Sequence, residues 1–110
     1  MPEPRQLVHS EWFDHALAQL GNLPGIERVL SEEFYRLACF AGLVSLVPGC
    51  RQLRVFQTRE LLRGDGHLVR ILIYFALRDR DRVVELQHIE AVEANMGGWS
   101  ETIDLWRSAP

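Results

Sequence analysis

A chain of 110 residues with 47% apolar and 25% charged side chains and a net charge of −3 is long enough for one hydrophobic core and too short for two. Its composition is ordinary for a soluble globular protein. It has no apolar run near the roughly 18 residues a membrane helix needs and no basic segment leading into an apolar one at the N-terminus, so a cytoplasmic protein without a membrane partner is expected.

Gln6-Leu7-Val8-His9 reads as a short strand. Ser10 is a good helix N-cap, because its hydroxyl accepts from an otherwise unpaired amide while Glu11 and Asp14 favour the positive end of the helix dipole. Trp12, Phe13, Ala16, Leu17 and Leu20 then recur at helical spacing until Gly21-Asn22 ends the helix. Pro24 suits the first turn of a second helix, where a missing amide hydrogen costs little. Ile26, Leu30, Phe34, Leu37 and Ala41 form its apolar stripe, widened by Val29 and Ala38. The short connection predicts that the two helices fold back as an antiparallel hairpin, and Pro48-Gly49 breaks the chain after it.

From there the period changes from 3.6 to 2. Residues 50 to 63 contain strand-like material, although Arg59-Glu60-Leu61-Leu62 would also suit a helical turn. His67 to Leu77 is the clearest strand: Val69, Ile71, Ile73, Phe75 and Leu77 are predicted to face the helices, with Leu68, Arg70, Leu72, Tyr74 and Ala76 on the other side. After Arg78-Asp79-Arg80-Asp81, the stretch from Arg82 to Ala91 is the next strand. Strict alternation puts Val84, Leu86 and His88 on one side of it and Val83, Glu85, Gln87 and Ile89 on the other. Gly97-Gly98 then divides the domain, residues 1–96, from a tail, residues 97–110, in which Ser100 caps a short helix carrying Ile103, Leu105 and Trp106. The expected fold is α+β, an N-terminal strand and a helical hairpin packed on an antiparallel sheet.

Residues 51–82 hold eight of the twelve arginines and a local charge of +4, against −7 for the rest of the chain. There is no lysine, so every cation offers a planar fork of donors suited to phosphate or carboxylate. Arg54, Arg59, Arg63 and Arg70, with Tyr74 beside them, are the candidate binding residues of a basic surface on the sheet. Exposed sheet faces also carry arginine that is merely solvated or paired for solubility. Cys39 and Cys50 have no Cys or His at metal-ligand spacing and are expected to be reduced. His88 and Glu90 lie two apart on a strand and share a face, but no third and fourth ligand stand at a recognisable spacing. Neither a metal nor another cofactor is expected.

This order of elements resembles the RelE/ParE toxin superfamily of bacterial toxin–antitoxin modules. The resemblance rests on Leu7-Val8-His9-Ser10 leading into Trp12-Phe13, on Leu17 to Leu23-Pro24, on Val69-Arg70-Ile71-Leu72-Ile73-Tyr74-Phe75 and on Val83-Val84-Glu85-Leu86-Gln87-His88. It spans roughly residues 6 to 93, and the strand centred on Arg70 is its most specific part. It implies a type II toxin acting on translation through ribosome-bound mRNA, or on DNA gyrase, and neutralised by an antitoxin protein; a homodimer is compatible with it. The alternative is a non-catalytic binding or assembly module of the same fold.

In the ribonuclease branch, the resemblance gives Arg63 and Arg70 as the cations of a catalytic set and His88 as its acid or base. Attack by an RNA 2′-hydroxyl needs a group to take that proton, cations for the charge on phosphorus and a donor for the leaving oxygen. Arginine stays protonated and is a poor general base. Where that branch commonly has His or Lys followed by arginines, this chain reads His88-Ile89-Glu90, and no tyrosine follows Tyr74. The gyrase-directed branch does not require such a set.

Overall fold

The computed structural model describes residues 3–20, 23, 25–62 and 66–93. The elements run β1 (Gln6–His9), α1 (Glu11–Ala18), α2 (Ile26–Phe40), a 3₁₀ turn (Ala41–Leu43), β2 (Arg54–Leu62), β3 (Leu68–Arg78) and β4 (Val83–Glu93). Ser10 caps α1, its hydroxyl accepting from Phe13 N at 3.1 Å. The N-cap of α2 is Gly25, whose φ of 79° is left-handed and therefore suits glycine; Pro24 and the Gly21-Asn22 break lie outside the described residues. No described helix is long and apolar enough to cross a membrane.

The strands form one sheet in the order β1-β4-β3-β2. β2, β3 and β4 are an antiparallel meander, whereas β1 runs parallel to β4, with Gln6 opposite Val83 and His9 opposite Leu86. The sheet is therefore mixed, which corrects the antiparallel sheet expected from the sequence. A parallel neighbour needs a long crossover, and the helices with β2 and β3 supply it.

Val69, Ile71, Ile73 and Phe75 of β3 are buried against Phe13, Leu30 and Leu37 of the helices, with Phe34 packed partly buried against the same core. Both helices thus cover one face of the sheet, and they meet through Phe13 and Phe34, whose ring centroids are 6.1 Å apart. Arg5 fastens the assembly from outside: Nε donates to Asp81 O at 2.7 Å and Nη1 to Cys39 O at 3.2 Å, so a cation sits on the negative end of α2.

The opposite face is not open. Val47, Val55, Leu72 and Tyr74 form a second buried cluster, with Cys50, Leu53 and Val92 packed against it. The segment between the 3₁₀ turn and β2 lies over this cluster, held by Val47 N donating to Leu53 O at 2.8 Å and by a bridge between Leu46 and Arg54.

Two register shifts break strict alternation. Between Gln57 and Glu60 of β2, Thr58 turns inward and its hydroxyl accepts from Ile71 N at 3.2 Å, replacing a lost ladder bond. In β4, Leu86 faces Phe75 but His88 faces Tyr74, so Gln87 is an extra residue. The shift corrects the alternation read from the sequence: Val84 and Leu86 stay in the helix-side core, where Ile89 joins them, and His88 moves to the side of Tyr74.

Candidate functional site

Tyr74 is fully buried on the outward face of β3. Its hydroxyl donates to Glu90 Oε1 at 2.6 Å, and Glu90 Oε2 lies 3.4 Å from Nε2 of His88. The Tyr74 and His88 rings are tilted at 36° with centroids 5.5 Å apart. One carboxylate therefore joins a phenol and an imidazole, and both His88 (22%) and Glu90 (15%) retain some side-chain exposure. Residue pairing explains the geometry, because Tyr74 stands opposite His88 and Leu72 opposite Glu90. The bulge at Gln87 is what brings His88 to this face.

Arg70 projects from the same face, as expected, but is not gathered with His88. It lies four residues from Tyr74 along β3, roughly 13 Å of extended chain. Its Nη2 turns toward β2, where it meets Glu60 Oε1 at 3.2 Å with both side chains about two-fifths exposed. Arg54 is occupied by Val44 O, to which its Nη1 donates at 2.5 Å. This bond helps to pin the segment that covers the second cluster. Arg78 donates to Gln52 Oε1 at 2.9 Å and pairs with Glu85 at 3.5 Å. Arg59 belongs to β2 at its register shift. Arg63 and the Gly64-Asp65 part of the turn lie outside the described residues, as does the tail at 97–110, where the sequence predicts a short helix capped by Ser100.

Glu90 was not among the site residues read from the sequence, where it stood as a departure from a basic position and as a same-face neighbour of His88 in a metal site that was not expected. The spacing of His88 and Glu90 on one strand was the available signal; the link to Tyr74 depends on strand register. Among the described residues, no group of three or more His, Cys, Asp or Glu side chains is placed to hold a metal ion.

Chemically, the cluster holds an imidazole beside a carboxylate, an arrangement that orients a histidine. The cluster carries a carboxylate and holds no arginine. Beside the cluster, an open groove of about 320 Å³ is lined by Ala16 of α1, by Gln19 and Leu20 just after that helix, and by residues 88–91 of β4.

Comparison with protein-family profiles, with curated proteins and with solved structures finds no match to this chain.

Proposed function

We propose that the chain is the toxin of a bacterial type II toxin–antitoxin pair of the RelE/ParE type, acting by binding its target rather than by cutting RNA. The observation that carries this reading is the order of one strand, two helices and a three-stranded meander, with Arg70 partly exposed on the outward face of β3. The Tyr74–Glu90–His88 cluster supports binding over cleavage, since Arg70 turns away from His88 and Glu90 stands between His88 and Tyr74. DNA gyrase is accordingly favoured over ribosome-bound mRNA as the target. The antitoxin that fits is one whose acidic extended segment lies along β2 and β3, exchanging the Arg70–Glu60 pair for a contact of its own.

Regulated expression in bacteria tests the proposal. The wild type should arrest growth, a folded Arg70→Ala variant should not, and purified protein should inhibit gyrase supercoiling without cleaving mRNA on ribosomes. Cleavage of ribosome-bound mRNA that requires His88 would overturn the binding mechanism.

One observation favours a second reading, a non-toxic binding module of the same fold. Arg70 and Arg78 each already pair with a glutamate, which leaves the face less cationic than its sequence suggests. Absence of growth arrest in several hosts, with the protein folded and soluble, selects this reading.

A further inference from the structure

β1 covers β4 only from Val83 to Leu86, and its side of the ladder ends with Ser10 N donating to Leu86 O at 3.1 Å. From Gln87 to Glu93 the outer edge of β4 has no strand beside it among the described residues. The direction of its backbone groups follows from β3. Ile71 N bonds to Thr58 on β2, so odd-numbered residues of β3 turn their amides toward β2 and even-numbered ones toward β4. His88 and Glu90, opposite Tyr74 and Leu72, therefore bond inward. The N–H and C=O groups of Ile89 and Ala91 point outward, into the groove shared with α1. That four successive residues of one strand line the groove is the mark of a strand seen edge-on, since a groove over a sheet face would be lined by alternate ones.

Charge is divided across the sheet. β1, α1 and β4 contain Glu11, Asp14, Glu85, Glu90 and Glu93 and no arginine, in a chain with twelve. β2 and β3 contain Arg54, Arg59, Arg70 and Arg78 against Glu60 alone. Arg5 and Arg82 stand only at the far ends of β1 and β4, and Glu85 is paired with Arg78. A segment lying along the outer edge of β4 from Gln87 to Glu93 therefore meets Glu90 and Glu93 and no arginine of that strand.

We infer that this edge receives an extended basic segment of another protein, added as a strand beside β4, with apolar side chains against Ala16 and Leu20 and an arginine or lysine toward Glu90. Main-chain bonds to Ile89 and Ala91 supply the affinity, and the acidic surroundings supply the choice of partner. The site is separate from the arginine-bearing strands of the toxin reading and stands whether or not that reading holds. A nucleic acid is repelled by the same charges.

The probe is a short synthetic peptide alternating arginine with valine, titrated into the full chain while amide exchange is followed; a glutamate–valine peptide is the control. The arginine peptide should bind, less tightly as salt rises, and slow exchange at Ile89 and Ala91. Ala91→Pro removes one outward N–H at a sheet edge, where proline is tolerated, and should raise Kd about tenfold. Gln19→Arg alters the exposed C-cap of α1 and should weaken the same peptide without touching the core. Equal binding of the glutamate peptide, or a Kd unmoved by both substitutions, overturns the inference. Ile89 and Ala91 already protected in the free monomer would assign the edge to residues 94–110, and protection that grows with protein concentration would assign it to a second copy; either result also overturns it.

Discussion

Tyr74 and Glu90 form a constrained polar contact, because the phenol is buried and its acceptor is a carboxylate with little exposure. Tyr74→Phe leaves the packing of the ring but removes the donor, and should cost about 1.5–3 kcal/mol in urea denaturation, the usual range for a bond to a charged partner. A loss near zero would mean that the hydroxyl is not needed to hold Glu90. Ile73, fully buried between the helices and the sheet, should lose about 2–5 kcal/mol on substitution by alanine. The identity of the core was legible in the sequence, since Ile71, Ile73 and Phe75 follow from simple alternation on β3. The partner of Tyr74 was not. A tyrosine and a glutamate sixteen positions apart meet only once strand register is known, and register is a property of the folded pair of strands.

The connection between β3 and β4 shows how an element can depart from its residue preferences. Asp79, Arg80 and Asp81 have φ of 51°, 55° and 65°, three successive non-glycine residues in the left-handed region, where a side chain meets steric cost. The turn is held in place by Arg82 N donating to Asp79 O at 3.1 Å and by Arg5 on Asp81 O. Arg80 is exposed, so Arg80→Gly should stabilise the protein by about 0.5–1 kcal/mol, the relieved strain exceeding the added freedom of the unfolded chain; thermal unfolding of the two proteins side by side reads the difference. Arg5→Ala should act in the opposite direction, by about 1–2 kcal/mol, through loss of its bonds to the end of α2 and to the turn. At this scale the sequence showed where helices and strands lie, because capping, proline and periodicity are local. It did not show the extra residue at Gln87, which rotates the end of β4 and transfers His88 from one face to the other. A bulge is visible only against the partner strand, and strict alternation carried through it reverses every later residue.

For the molecule as a whole, the sequence separated a basic stretch from an acidic remainder, and folding turns that division into two halves of one sheet. Pairing of Arg70 with Glu60 and of Arg78 with Glu85 moderates the basic half, an effect of side-chain placement that composition does not record. The direction of β1 was equally hidden, since its partner lies near the other end of the chain. That parallel pair has a consequence for how the protein comes into being. β1 and both helices leave the ribosome well before β4, the strand beside which β1 lies and against which α1 packs. Contacts this distant in sequence are slow to form, so the growing chain has no closed core until β4 has emerged. A fragment ending before Val83 should show no cooperative unfolding transition by circular dichroism, and if the full chain is toxic, an interrupted round of synthesis would release a product unable to harm the cell that made it.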